Sequence, residues 1–218
     1  MDAVEKKLWK KLKYRDPRRG VLVYWFRQVV SELPNVPAKI RDWRVRALRK
    51  YSEEKQAALF CYGMNKCFPD QNLEYAMPQA AKELKLRDEN RDYDCVMRRK
   101  PSDAEDYQYL PLQLKEVVSD EINPFSSVEA ELQKLIFRYP KSRNLVVALW
   151  VNRDGEIDFD RLVIPKLGIL DLRLFGYTSS SGLNCYLSDN LLARRQFFRF
   201  NYPELEPGEH LLDLPMFK

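Results

Sequence analysis

Three polar side chains stand where a β-sheet would ordinarily repeat apolar ones. Asp94 directly precedes the apolar run Cys95-Val96-Met97, and Gln113 and Lys115 interrupt the alternating stretch YLPLQLKEVV. Side chains two apart in a strand share a face about 7 Å apart along the chain, so Gln113 and Lys115 lie together. If the segment from Asp94 pairs with that strand as a hairpin, the carboxylate comes to lie beside them. A carboxylate with a second oxygen donor can hold a hard divalent cation such as Mg²⁺, which keeps several of its waters. A lysine next to such an ion can orient or deprotonate a water, or stabilise negative charge developing on phosphate. These are the parts that metal-assisted hydrolysis of a phosphodiester needs.

None of them is a histidine, and that matters in this chain. His210 is the only histidine, and Cys61, Cys67, Cys95 and Cys185 include no C-x-x-C pair. The ordinary ligands of a zinc site are therefore missing, as is the base of Ser-His-Asp and Cys-His catalysis. The cysteines read as buried free thiols of a reducing compartment. With 218 residues, 45% hydrophobic and 32% charged, the chain has the composition of a folded globular protein. No apolar run approaches the length of a membrane span. The start, MDAVEKKLWKKLKYRDPRRG, lacks an apolar signal core, which gives a cytoplasmic expectation with no membrane partner.

Charge is distributed unevenly. Residues 1–50 hold 15 Lys and Arg against 5 Asp and Glu, whereas the whole chain carries 37 against 32. A basic first quarter on a mildly acidic body suits an anionic partner.

The elements that must position the polar trio follow from periodicity. Residues 2–13 read as a short amphipathic helix with Val4, Leu8 and Leu12 on one face, broken at YRDPRRG. Residues 21–33 read as a buried helix and 38–51 as a second, basic one bearing Arg44, Arg46 and Arg49. Ser52 resembles an N-cap for a helix running to about Gly63, and the sequence leaves open whether that helix continues the preceding one. Strands are expected over about 93–99 and 109–118, then a helix over about 125–139. The run NLVVALWV (144–151) reads as a strand covered on both faces, and EIDFDRLVIP as a further alternating strand. This gives an α/β (α+β) fold with a mixed central sheet flanked by helices. Its expected divisions are a helical N-terminal extension (1–51), a core (52–165) and C-terminal strands and tail packed on it (166–218).

A helix carrying an acid, an Asp before an apolar strand, and Gln-x-Lys in the next strand resemble the PD-(D/E)xK nuclease superfamily, the restriction-endonuclease-like fold. The resemblance covers roughly residues 50–151 and implies an αβββαβ core. It implies that Asp94 is the central metal ligand, that Gln113 stands at the second-ligand position and that Lys115 is the motif lysine. Glu54 is the matching acid of the first helix. It is preferred over Glu53 because Ala57, Ala58 and Cys61 follow it at i+3, i+4 and i+7. The implied activity is an Mg²⁺- or Mn²⁺-dependent endonuclease, acting on DNA rather than RNA and working as a homodimer where two strands are cut. Two departures from the pattern stand out: Asp92 and Tyr93, not a proline, precede Asp94, and the uncharged Gln113 replaces the usual Asp or Glu. Glu116 would point to the opposite face unless the strand is bulged.

Further phosphate contacts are expected from Lys134 and Arg138, four apart on the following helix, with Gln133 nearby, and from Arg44, Arg46 and Arg49. Arg98-Arg99 and the run ARRQFFRF (193–200) mix cations with aromatic rings, as single-strand-binding surfaces do, although Phe197, Phe198 and Phe200 read first as core. A second reading keeps the fold without catalysis, as a module that binds nucleic acid or a protein, and accounts for Gln113 directly.

Overall fold

The computed structural model describes residues 3–22, 46–78, 93–119, 121–139, 142–152, 157–178 and 184–204. Seven strands form one mixed sheet in sequential order: β1 (Glu74–Ala76), β2 (Cys95–Arg99), β3 (Gln108–Val117), β4 (Val146–Val151), β5 (Asp171–Tyr177), β6 (Asn184–Ser188) and β7 (Phe197–Asn201). β1–β2–β3 are antiparallel, β3–β4–β5 parallel, and β5–β6–β7 antiparallel again. Among the described residues, three α-helices accompany them: α1 (Ala3–Trp9), α2 (Arg46–Cys67) and α3 (Val128–Arg138). The α/β class with a mixed central sheet is thus as expected.

β4 shows why the sheet needs cover on both sides. All six of its residues are buried. Val146, Ala148 and Trp150 enter the core beneath α2, with Leu112, Leu114, Cys95 and Met97. Val147, Leu149 and Val151 enter the core beneath α3, with Leu132, Leu135 and Val117. Ser127 starts α3 by accepting the Ala130 N–H at 3.1 Å, satisfying one of the donors a helix start leaves open. A smaller aromatic cluster of Trp9, Val96 and Tyr109 joins α1 to the β2–β3 hairpin. By strand alternation it lies on the α3 side of the sheet.

Several expectations need correction. Ser52 does not begin a helix: α2 runs unbroken from Arg46 to Cys67, so Ser52 is interior and its Oγ accepts from Gln56 Nε2 at 3.4 Å. The residues before it, RALRKY, are good helix formers without Gly or Pro, and nothing there stops the helix. Gly63 does not end it either. Residues 157–164 are not a strand, despite their alternation. Asp158 Oδ1 accepts from the N–H groups of Asp160 and Arg161, and Arg195 donates to the carbonyls of Phe159 and Asp160. These side-chain bonds fold the segment into a turn, while Leu162 still packs into the α3-side core. The core reading of Phe197, Phe198 and Phe200, by contrast, holds: they lie in β7, Phe200 is buried, and Phe198 packs edge-on to Phe68 at 4.9 Å. Among the described side chains of α1 and the turn after it, Trp9 is buried while Leu8 and Leu12 are only partly so. The expected helical residues 23–33 and 38–45, Arg44 among them, lie outside the described residues.

Gly63 has a packing reason. A Cβ there would come within 2.6 Å of Phe200 Cζ and 2.8 Å of Cε1. Phe200 is itself buried against the edge of Tyr62. Gly63→Ala should therefore cost stability: overpacking of about 1–3 kcal/mol outweighs roughly 1 kcal/mol of helix propensity. Denaturant midpoints should fall for Gly63→Ala and recover in part when Phe200→Leu is added, a positive coupling in the double-mutant cycle.

Candidate functional site

β2 begins just after Asp94, the first of the polar trio. The register pairs Cys95 with Leu112, and Asp94 continues it by donating its N–H to Leu112 O at 2.9 Å. Beyond that point the side chain takes over from the backbone. Asp94 Oδ2 accepts the Leu114 N–H at 2.9 Å and a hydrogen bond from Gln113 Nε2. The hairpin expected from the sequence thus brings Asp94 and Gln113 into direct contact. Gln113 is 5% exposed, and its Nε2 also reaches Leu114 O at 3.2 Å.

Lys115 follows on the same face, half-buried, its Nζ 5.9 Å from the centre of the Tyr139 ring. Tyr139 closes α3 and is fully buried, with the Arg138 guanidinium 5.8 Å from the same ring. Lys115 and Arg138 therefore approach one aromatic side chain from separate elements. Lys134 is exposed and paired with Glu131 at 2.5 Å, so part of its charge is spent within its own helix. Arg46 and Arg49 lie on the first turns of α2.

Glu116 belongs to the other face. β3 keeps an unbroken register against β4, with Gln113 opposite Val147, Lys115 opposite Leu149 and Glu116 opposite Trp150. No bulge turns Glu116 towards Asp94. Its Oε2 accepts from Gln56 Nε2 at 3.3 Å and its Oε1 from Asn152 Nδ2 at 2.9 Å, tying α2 to the end of β4.

Glu54 is buried at 7% exposure on α2, and its carboxylate forms an ion pair with Arg15. Arg15 in turn bridges its backbone to Tyr75 in β1, with Arg15 N donating to Tyr75 O at 2.8 Å. No local signal announces this pair, because YRDPRRG reads only as a helix breaker. Among the described residues, no group of three or more His, Cys, Asp or Glu side chains converges as a metal site. A cation at Asp94 would accordingly rest on one carboxylate, the Gln113 amide and water, a donor set suited to Mg²⁺ or Mn²⁺ and not to zinc. It is the Nε2 edge of Gln113 that faces Asp94 here, so oxygen donation requires the Oε1 edge of that amide.

Two further features frame the site. Trp9 Nε1 donates to Tyr93 Oη at 3.0 Å, and their rings meet edge-on at 5.7 Å. Tyr93 is the residue before Asp94, so the basic helix α1 is fastened to the strand that carries the carboxylate. Lys7, Lys10, Lys11 and Lys13 in and after that helix are exposed. On the α2 side, Lys55 lies 5.8 Å from the Tyr177 ring. Burial lowers its pKa against a smaller opposing effect of Cys185, whose thiol burial pushes up to about 12. All four cysteines are free, with Cys61, Cys95 and Cys185 buried, and burial raises the thiol pKa of each.

No protein-family model, no characterised protein and no solved structure matches the chain.

The Arg15–Glu54 pair makes a stability prediction. Arg15→Ala leaves a buried carboxylate without its cation, and the loss should be on the order of 1–3 kcal/mol, because Arg15 itself is half exposed. Adding Glu54→Gln should restore part of that loss in urea unfolding at neutral pH. Equal losses in the single and double variants would show that the pair is not coupled.

Proposed function

We propose that the protein is a metal-dependent nuclease that hydrolyses phosphodiester bonds of DNA, built on a PD-(D/E)xK-like core. The observation that carries this reading is the contact between Asp94 and Gln113 just before the start of β2, with Lys115 on the same face of β3. The order from α2 onward, helix, three strands, helix, strand, supports it.

Asp94 would hold the cation, with Gln113 contributing its amide oxygen. A bound Mg²⁺ or Mn²⁺ supplies Lewis-acid polarisation of the phosphate and a more acidic water. Lys115 orients the attacking water and offsets charge on the phosphoryl oxygens. Arg138 and the lysines of α1 hold the phosphate backbone, so binding weakens steeply with salt. Glu54 has no direct role while it is paired with Arg15.

A second reading has its own observation. The Asp94 carboxylate already takes a backbone N–H and an amide N–H, and Glu54 has a guanidinium. Acids satisfied in this way suit a nuclease-fold module that binds nucleic acid or a protein without cutting.

Cleavage of supercoiled plasmid and labelled single strands with Mg²⁺, Mn²⁺ or EDTA decides between them. Asp94→Asn keeps an oxygen for the Leu114 N–H while removing the charge, so it tests chemistry more cleanly than Asp94→Ala. Catalysis predicts metal-dependent nicking that falls about 10²–10⁴-fold in Asp94→Asn and Lys115→Ala, with DNA binding retained. Gln113→Glu should lower the Mg²⁺ concentration needed for half-maximal rate. Folded wild type that binds DNA in a salt-sensitive manner, without metal-dependent nicking, would favour the binding module.

A further inference from the structure

The connection from β3 to α3 holds two apolar side chains out to water on a braced turn. Phe125 is 87% exposed and Ile122 51%. Ser119 O accepts the N–H groups of Ile122 and Asn123, both at 3.0 Å, and Asn123 O accepts that of Ser126 at 3.1 Å. Asn123 Oδ1 takes the Phe125 N–H at 3.1 Å, and Ser127 then caps α3. Pro124, between them, fixes a further backbone dihedral. The charges around this turn have one sign. Glu121 and Glu129 are exposed, and no Lys or Arg occurs between Lys115 and Lys134.

A groove of opposite character opens between residues 164–167 and 191–195, with a volume of about 520 Å³. Ile164, Leu167, Leu191 and Leu192 give it an apolar lining, continuous with the α3-side core through Leu191. Its charged lining is Lys166, Arg194 and Arg195, with no acid among them. Arg195 is held by the carbonyls of Phe159 and Asp160. Lys166 and Arg194 are exposed and form no ion pair with a described residue. Among the described residues six large apolar side chains are exposed. Three of them, Ile122, Phe125 and Leu192, belong to the turn or the groove, and a fourth, Val163, adjoins Ile164 in the chain. The two features stand at opposite ends of the sheet. The turn follows Val117, which pairs with Val151 at the end of β4. The groove adjoins the start of β5, where the Leu191 N–H donates to Leu172 O at 2.9 Å and Asp171 pairs with Val146, the first residue of β4. The turn therefore cannot fill the groove of its own chain.

An acidic turn with two apolar anchors and a cationic groove with an apolar floor are complementary in charge and in surface. Aromatic anchors seated in pockets dominate many interfaces, and a turn ordered beforehand loses little freedom on docking. We propose that the turn bearing Ile122 and Phe125 seats in this groove of a second copy of the chain. Phe125 and Ile122 meet the apolar floor, while Glu121 and Glu129 meet Lys166 and Arg194. One such contact is small beside the roughly 1,200–2,000 Å² that a stable interface buries. Because turn and groove lie at opposite ends of the sheet, two copies facing each other in opposite directions make the contact twice, as a closed twofold dimer. The interface uses none of Asp94, Gln113 and Lys115, so it is independent of the nuclease reading.

Sedimentation velocity of the wild-type chain should show a monomer–dimer equilibrium with a Kd of about 10 μM or tighter. Phe125→Asp removes an anchor, and Lys166→Glu with Arg194→Glu reverses the charge of the groove. Each variant should dimerise at least about 100-fold more weakly. Mixing the two is the decisive step. The first keeps a sound groove and the second a sound turn, so the mixed pair makes one of the two contacts and should associate about tenfold more tightly than either variant alone. Neither a misfolded variant nor a turn-to-turn contact can give that recovery. The proposal is overturned if folded wild type is monomeric at about 100 μM. It is equally overturned if the variants dimerise as wild type does, or if the mixture associates no better than its components. A monomer whose DNA binding falls on reversing Lys166 and Arg194 would assign the groove to nucleic acid and overturn it as well.

Discussion

β3 is held on its two sides in opposite senses, antiparallel to β2 and parallel to β4, without an inserted residue in either ladder. That double register is the constraint on which the rest depends. It sends Leu112 and Leu114 into the core under α2 and Gln113 and Lys115 to the α3 side. A slip of one residue would put the lysine and the glutamine under α2 and both leucines on the other face. The hydrogen bonds that secure the hydrophobic core therefore also aim the polar groups, and the candidate site needs no separate scaffold.

The same register explains why an aspartate suits position 94 on structural grounds alone. At the start of β2 the Leu114 N–H loses its strand partner, and the Asp94 carboxylate supplies the missing acceptor. A strand that stops short leaves an edge, and edges are where a sheet can present side chains to something other than itself. Fastening Trp9 to Tyr93 brings the lysines of α1 to that edge. Helix α1 is thus tied to the residue before the carboxylate by an aromatic contact and a hydrogen bond.

The sequence made the sheet legible wherever alternation and burial agreed. β2, β3, β4 and α3 fall where their apolar periods put them, and the hairpin that joins Asp94 to Gln113 followed from pairing two adjacent strands. The misreadings share a cause, because side-chain hydrogen bonds carry no period. Asp158 and Arg195 turn an alternating segment into a loop, and Ser52 resembles a cap although six helix-forming residues precede it. Arg15 and Glu54 are 39 positions apart, and no local signal links them. Gln71, Arg99, Asp171 and Arg173, which line one cavity on the α2 side, likewise come together only when three separate elements meet.

Gln113 has a physical logic of its own at a position where a second carboxylate would be expected. Two carboxylates in hydrogen-bond contact repel unless a cation or a shared proton lies between them, so a Glu–Asp pair would make this corner of the sheet depend on metal for its stability. An amide has both a donating and an accepting edge. With Nε2 towards Asp94 it satisfies the carboxylate and completes the start of β2 with no ion at all. With Oε1 turned the same way it would, on the proposed nuclease reading, offer a neutral oxygen to a cation held at Asp94. The cost is affinity, since one charge then does the work of two. What is gained is a hairpin whose fold does not depend on metal, so a low occupancy of the ion would leave the core intact.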